Sequence, residues 1–188
     1  MEIYGQGMRV HLGGIAPRDA AMLALIGNDA DVARGTPTIP HPYTLEMAMA
    51  FVTHANETSD SRKELHLAVR LGTLFIGMCA LSAIDHANKE AEIGYWLGRE
   101  YWGKGYGAEA VRLMLSYGFG KLGLSEMHAE SLPGNERSIR LLLSLGFRTE
   151  GDSGRDGRGD SGQSKVVRFS LDGSEFSRPV DIDVRDAR

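Results

Sequence analysis

The sequence contains very little cysteine, which excludes one common means of stabilising a fold. Cys79 is the only cysteine in 188 residues, so no disulfide can form within the chain. It lies in the apolar run 75–81, where a thiol usually serves as a small buried hydrophobic group. We therefore expect Cys79 to belong to the core and not to act as a nucleophile.

Long hydrophobic runs and targeting signals are also missing. No apolar stretch approaches the ~20 residues that a membrane-spanning helix requires. Residues 1–6 lack the basic and apolar regions of a signal peptide. These absences predict a soluble, cytoplasmic protein that makes no membrane contact.

Excess positive charge and metal-ligand spacing are absent as well. The net charge is −4 and the isoelectric point is about 5.9, which argues against direct nucleic-acid binding and suits a cationic amine. The six histidines show no ligand spacing, so no metal is expected. His66 and His128 lie in predicted strands and are reserve candidates for a catalytic base.

The hydrophobic pattern predicts an α+β (mixed α/β) domain over residues 1–172, followed by a polar C-terminal tail, 173–188. Leucine and valine alternate with polar residues over 65–71, and short connections join this strand to 74–84 and 91–97. Such short connections favour an antiparallel meander. The other predicted strands are 8–15, 125–131, about 147–150 and 165–171.

Helices are predicted between these strands from caps and from apolar positions with helical spacing. Thr44 is a candidate cap for a helix over 45–56, after the proline-rich loop 36–44. The segment 151–164 is composed almost entirely of Gly, Asp, Ser and Arg, and we expect a long hairpin loop there. The remaining predicted helices are 18–26, a short piece near 29–34, 106–122 and 135–146.

Residues 102–107 read Trp-Gly-Lys-Gly-Tyr-Gly, with an amphipathic helix directly behind them. Alternate glycines leave backbone N–H groups accessible, and the helix start adds its unpaired N–H groups and the positive end of its dipole. Together with the charge of Lys104, this favours a phosphate or pyrophosphate site. The alternative is an ordinary turn between a strand and a helix.

Two other phosphate motifs compete for the same segment. Gly103, Gly105 and Ala108 satisfy the dinucleotide fingerprint, with Glu126 or Glu130 as the ribose-binding acid. However, residues 98–102 separate the glycines from the preceding strand, and the upstream strands are antiparallel. A P-loop is excluded because Lys104 is followed by glycine and not by Ser or Thr.

In this order and spacing, three motifs resemble the GNAT superfamily of acetyl-CoA-dependent N-acetyltransferases, over about residues 8–171. The first motif combines the strand 92–97 with the glycine turn 102–107. The second is 135–139 together with the Leu-Gly-Phe at 145–147 that closes its helix, and the third is the segment 40–44. The set looks most like the branch that contains the ribosomal-protein N-terminal acetyltransferases. The resemblance implies a mostly antiparallel sheet of about six to seven strands flanked by about four helices. The expected assembly is a monomer or a homodimer.

The resemblance also implies a site. Acetyl-CoA would be the acetyl donor. A primary amine would attack it directly in a ternary complex, and this amine would belong either to a protein N-terminus, such as that of a ribosomal protein, or to a small molecule. The implied catalytic residues are Glu92 as the base and Ser138 as the proton donor to the thiolate. The implied cofactor-binding residues are Tyr95, Trp96, Leu97, Trp102, Gly103, Lys104, Gly105, Tyr106, Gly107, Ala108, Asn135, Ser138 and Arg140.

The chain departs from the family pattern at three places. Trp102 stands where Arg or Gln is usual, and Leu143-Ser144 stand where Glu-Lys is common. The cationic contact to CoA that the family's lysine makes would then come from Arg140 or Arg137. The tyrosine that many members carry on the last helix is missing between 135 and 147. A non-catalytic acyl-CoA-binding or regulatory module is therefore an alternative, as is a dinucleotide-binding oxidoreductase.

Overall fold

The fold is a mixed sheet with helices on both faces. The computed structural model describes residues 1–36, 38–60, 63–156, 165–177 and 179–185. Among these the strands are β1 (Glu2–Gly5), β2 (Val10–Gly14), β3 (Leu65–Leu71), β4 (Leu74–Asp85), β5 (Glu90–Leu97), β6 (Glu126–Ser131), β7 (Arg148–Asp156), β8 (Lys165–Asp172) and β9 (Ile182–Arg185). The α-helices are α1 (Ala20–Gly27), α2 (Ala30–Gly35), α3 (Leu45–Asp60), α4 (Tyr106–Gly120) and α5 (Glu136–Ser144).

The strands form one sheet in the order β7-β8-β6-β5-β4-β3-β2-β1-β9. Neighbouring strands are antiparallel except β5 and β6, which are parallel and joined through α4. The predicted class and the predicted β3–β4–β5 meander are confirmed. The described sheet has nine strands, however, and not six to seven, and five α-helices accompany it where about four were predicted.

The two strands that the sequence did not predict, β1 and β9, pair with each other at one edge of the sheet. Each spans four residues, which is too short for alternation to be recognised in sequence. The segment after Asp172, predicted to be a polar tail, in fact joins the fold: Phe176 and Val180 are buried and β9 extends the sheet.

The predicted hairpin loop 151–164 also differs from the structure. Strand β7 continues to Asp156, and Gly151, Asp152 and Asp156 pair with β8, while residues 157–164 lie outside the described residues. Thr44 caps α3 as predicted, since its hydroxyl accepts a hydrogen bond from Met47 N at 3.2 Å. In the described ranges, no helix combines the length and the apolar character that crossing a bilayer demands.

The core is divided between the two faces of the sheet. One buried cluster joins the strands to α4 and α5 and contains Cys79 and Val111. The other joins them to α1 and α3 and contains Met78, Leu23 and Val52. Met78 and Cys79 belong to different clusters because successive side chains of a strand point to opposite faces. The prediction that Cys79 is a buried hydrophobic group is confirmed, and burial raises the pKa of its thiol.

A buried ion pair ties the start of α1 to the sheet. Arg70 on β3 donates to both carboxylate oxygens of Asp19, at 3.0 and 2.7 Å, and to the carbonyl of Gly14 at 3.2 Å. Asp19 also accepts from Ala16 N at 2.8 Å. Because the two side chains are only 8% and 6% exposed, each charge depends on the other for solvation.

Replacing Arg70 with methionine is expected to lower the free energy of unfolding by about 3–5 kcal/mol, because Asp19 then keeps a buried charge without its partner. Urea denaturation measures the loss. Asp19→Asn combined with Arg70→Met should recover much of it. Arg148→Met, which breaks the 2.6 Å pair between Arg148 (74% exposed) and Glu175, should cost about 1 kcal/mol or less. Equal losses for the two arginines would contradict this account of the pair.

Candidate active site

The site begins where β5 and β6 separate. The two strands pair at only three positions, from Glu90 opposite Glu126 to Glu92 opposite His128. Beyond these, β5 stays paired with β4 through Leu97, and β6 stays paired with β8 through Ser131. The inner edge of β5 from Ile93 onward is therefore not paired with β6. Its backbone N–H and C=O groups need partners, which makes this edge suited to bind an extended amide-containing ligand.

A cleft of about 820 Å³ opens between the diverging strands. Its walls come from β5, β6, the glycine turn, the first turns of α5, and the end of α2 with the loop that follows it. It brings together twelve of the predicted site residues: Glu92, Tyr95, Trp96, Leu97, Trp102, Gly103, Gly105, Gly107, Ala108, Asn135, Ser138 and Arg140.

The glycine turn has the backbone geometry of an anion site. Gly103 and Gly105 adopt φ angles of 71° and 85°, in the left-handed region where side chains are disfavoured. Gly105 is the N-cap of α4, so the unpaired N–H groups of the first helical turn follow it directly. Since Gly107 and Ala108 also line the cleft, these N–H groups and the helix dipole are placed where a phosphate can meet them.

Arg9, which the sequence analysis missed, holds this turn from outside the cleft. Its Nη2 donates to the carbonyl of Lys104 at 2.8 Å and its Nε donates to Glu109 at 2.7 Å. Its guanidinium lies over the ring of Tyr106, 4.7 Å from the centroid. Lys104 and Tyr106 are not among the residues that line the cleft, and their predicted contact with a ligand stays a prediction. Arg9 belongs to no recognised motif and gave no signal in sequence.

A second cation, Arg137, reaches the glycine turn from α5. Its guanidinium stacks over the Trp102 ring, 3.6 Å from the centroid, and Trp102 is fixed by a 2.7 Å hydrogen bond from its Nε1 to the carbonyl of Leu97. Arg140 also lines the cleft, but it pairs with Glu136 at 3.0 Å. Of the two arginines considered for the missing family cation, Arg137 is thus the one placed against the turn.

Asn135 has the capping role that was one of its two predicted roles. Its side-chain oxygen accepts from Ser138 N at 3.2 Å, and its amide donates to the carbonyl of Gly35 at 3.2 Å. These bonds fix the first turn of α5 and join it to the end of α2. The predicted contact of Asn135 with a ligand stays a prediction.

Tyr95 and Ser138 meet across the cleft. The phenol oxygen of Tyr95 on β5 lies 3.1 Å from Oγ of Ser138 on α5, within hydrogen-bonding distance. Burial raises the pKa of Tyr95 to about 12, although the hydrogen bond with Ser138 opposes the shift. The tyrosine therefore keeps its proton at neutral pH.

The other end of the cleft carries carboxylates and a histidine. Glu92 lines it and lies opposite Ser82 on β4. His66, a predicted reserve base, also lines the cleft, and its Nε2 is 2.9 Å from Glu64. Glu130 lies nearby on β6 and pairs with Arg168 at 2.9 Å.

His128, the other reserve base, lies outside the cleft lining on the same sheet face. Ligand-type atoms of His128, Glu90 and Glu126 lie within 4.8 Å of one another. Sequence spacing did not reveal this group, because the parallel register of β5 and β6 brings the three residues together.

The comparisons with known proteins agree with this geometry. The chain is 27% identical over 143 residues to the spermidine N(1)-acetyltransferase of Escherichia coli (strain K12), covering 76% of this chain and 75% of that protein. It is 50% identical over 76 residues to the uncharacterized N-acetyltransferase p20 of Bacillus licheniformis, covering 40% and 43%. The three curated relatives at 40–50% identity that head the comparison are matched over only 43–52% of their own length.

The fold has solved counterparts. A structure of Mycobacterium smegmatis RimJ in complex with CoA-disulfide superposes with a TM-score of 0.84 at 20% identity, covering 95% of this chain and 89% of that one. The family model described as an acetyltransferase (GNAT) domain matches residues 9–148, which include both the glycine turn and α5. The chain therefore belongs to the GNAT acetyltransferase family.

Proposed function

We propose that the protein is an acetyl-CoA-dependent N-acetyltransferase that transfers the acetyl group directly to a primary amine. The observation that carries this proposal is the separation of β5 from β6 beside the left-handed glycine turn. It places an unpaired strand edge, a helix N-terminus and Arg137 around one cleft. A ligand with amides along a flexible arm and a diphosphate at its end fits this set of groups.

The residues divide into a holding part and a reacting part. The backbone of 93–97 would bind the amides of the pantetheine arm, while the N–H groups from Gly103 to Ala108 would bind the diphosphate. Bound there, acetyl-CoA supplies a thioester that a neutral amine attacks. Glu92 would accept the proton that the attacking nitrogen loses, and Ser138 would donate to the sulfur. No covalent enzyme intermediate is needed, which agrees with a buried Cys79.

The acceptor is proposed to be an amine that carries positive charge in solution. Glu92 and Glu130 line the cleft, although Glu130 also pairs with Arg168, and Glu90 and Glu126 follow on the same sheet face. These carboxylates would attract an approaching ammonium group. A protein N-terminus, such as that of a ribosomal protein, and a small polyamine both carry such a group.

The test is a free-thiol release assay with acetyl-CoA across peptides, polyamines, amino acids and aminoglycosides. CoA release that depends on one of these amines supports the proposal. Thermal stabilisation by acetyl-CoA without release for any amine would instead support a non-catalytic acyl-CoA-binding module. Stabilisation by NAD(P)H and not by acetyl-CoA would support the oxidoreductase alternative.

Arg137→Ala is expected to weaken acetyl-CoA binding about ten- to a hundredfold, because a charge-assisted contact to a phosphate contributes on the order of 1.5–3 kcal/mol. Isothermal titration calorimetry measures the dissociation constant. Arg140→Ala is the matched control on the same helix, and its effect should be smaller because Glu136 already pairs with Arg140. A larger effect for Arg140→Ala would reassign the cation.

A further inference from the structure

The absence of a tyrosine from α5 leaves open what assists the leaving sulfur, and the cleft offers a replacement from another element. Tyr95 stands on β5, and its hydroxyl meets Ser138 on α5 at 3.1 Å. The contact crosses the gap between the diverging strand and the helix, so it lies in the cleft that both residues line. The role of the pair depends on which of the two hydroxyls donates the hydrogen bond to the other.

The chemistry of the pair favours one direction for this hydrogen bond. At 3.1 Å the geometry permits either hydroxyl to donate. Because a phenol is a stronger acid than an aliphatic alcohol, the arrangement we infer has Tyr95 as the donor and Ser138 Oγ as the acceptor. The buried tyrosine keeps its proton at neutral pH, since its pKa is raised to about 12. Its ring is held in place next to Gly107, where an added Cβ would lie 3.9 Å from the ring. In that arrangement the proton of Ser138 is available to a ligand in the cleft that both residues line.

Resting on the proposed function, we propose that Tyr95 is a positioning residue: it orients the Ser138 hydroxyl as the hydrogen-bond donor to the sulfur of coenzyme A and so stabilises the leaving thiolate. Ser138 is the third residue of α5, where the positive end of the helix dipole also favours an anion. Hydrogen-bonded chains of this kind polarise one another, so the second hydroxyl strengthens the first.

The transfer step balances without any further reactant. The nitrogen–carbon bond forms while the carbon–sulfur bond breaks, and the sulfur keeps the bonding electron pair. The proton shed by the nitrogen goes to Glu92 and then to water. The thiolate accepts the hydrogen bond of Ser138 and takes up a proton from water when coenzyme A leaves. Tyr95 and Ser138 therefore end the step with the protons they began with.

The first measurement is independent of catalysis. The ionisation of the thiol of bound CoA is followed by the ultraviolet absorbance of its thiolate as the pH is raised. A hydrogen bond to a charged group corresponds to a shift of about one to two pH units. Tyr95→Phe removes the residue that orients this bond and not the bond itself, so it should raise the apparent pKa of the bound thiol by about one unit, the lower end of that range. Apart from Tyr95 itself, the variant keeps all charged and titratable side chains that line the cleft, which are Tyr43 and Tyr101 together with Asp31, His66, Glu92, Glu130, Arg137 and Arg140.

The second measurement is the rate of acetyl transfer to the best acceptor of the thiol-release assay. Tyr95→Phe should lower kcat about tenfold and leave the KM for acetyl-CoA within about twofold, because it weakens transition-state stabilisation and not binding. Because Tyr95 acts through Ser138, adding Tyr95→Phe to Ser138→Ala should cause no further loss. Tyr117→Phe is the matched control: it removes a half-buried hydroxyl from α4 outside the cleft lining and should change neither measurement.

The outcomes separate this inference from the proposed function. An unchanged pKa of the bound thiol in Tyr95→Phe, or losses in kcat that multiply in the double variant, would overturn the inference alone. Wild-type protein that binds CoA but acetylates no amine would overturn the proposed function, while the thiol titration would still decide whether Tyr95 acts through Ser138. Wild-type protein that binds no CoA would overturn both.

Discussion

Replacing Glu92 with glutamine is expected to lower kcat for acetyl transfer by about 10²–10⁴-fold at neutral pH, the range that general-base assistance typically supplies. Glutamine has nearly the same shape as glutamate but cannot accept the proton that the attacking amine must lose. Glu92 lines the cleft on β5, three positions before Tyr95, and directly precedes the strand edge 93–97 that is proposed to hold the pantetheine arm. Acetyl-CoA binding should therefore be unchanged, and thiol release under saturating acetyl-CoA measures the loss.

Glu90→Gln is the matched control for this experiment. Glu90 lies two residues earlier on the same strand and the same face, but it does not line the cleft. It should retain kcat within about threefold. A loss below tenfold for Glu92→Gln would contradict its role as the base, and His66, which lines the cleft beside it, would be the next residue to replace.

Gly105→Glu is expected to abolish the stabilisation of the protein by acetyl-CoA. At a ligand concentration of 100 Kd, the wild-type protein should gain about 2.7 kcal/mol, and the variant should gain none. The new side chain would begin at the N-cap of α4, where the diphosphate is proposed to bind, and its Cβ would lie 3.0 Å from Arg9 Nη2. It would disturb the contact by which Arg9 holds the turn and would add a negative charge beside the proposed diphosphate site. Thermal denaturation with and without acetyl-CoA measures the difference.

The left-handed backbone at Gly105 complicates this variant, because any side chain at a φ of 85° costs roughly 1–2 kcal/mol. Gly123→Glu is the control for this backbone cost. Gly123 has a φ of 69°, is exposed, and has no atom within 4 Å of an added Cβ. Gly105→Glu should lose more stability without ligand than Gly123→Glu, because an added Cβ at Gly105 would lie 3.0 Å from Arg9 Nη2. Only Gly105→Glu should lose the response to acetyl-CoA. A normal response in Gly105→Glu would place the diphosphate elsewhere.

Much of the site was predictable because it is encoded locally. The glycine turn, the helix behind it and the cap at Asn135 are short segments in which residue type dictates backbone geometry. The meander was predictable for the same reason, since its alternation and short connections are visible over a few residues each. These segments also carried the resemblance to the family, which the match over residues 9–148 confirms.

The rest depends on contacts between distant segments. Arg9 reaches a carbonyl 95 positions away, and Tyr95 reaches Ser138 over 43 positions. Arg137 was recognised only as a possible cation, because nothing in the sequence shows that it stacks on Trp102. Similarly, β1 pairs with β2 and β9, and β9 pairs with β1. Their four-residue patterns carry too little information for either strand to be predicted from sequence.

The stacking of Arg137 on Trp102 also gives the protein an internal optical probe. The chain has two tryptophans, Trp96 and Trp102, and both line the cleft. Its indole emission therefore arises entirely from this region, with one chromophore in contact with a guanidinium. Any molecule that enters the cleft and disturbs this contact changes the emission, so occupancy can be followed in unlabelled protein in real time.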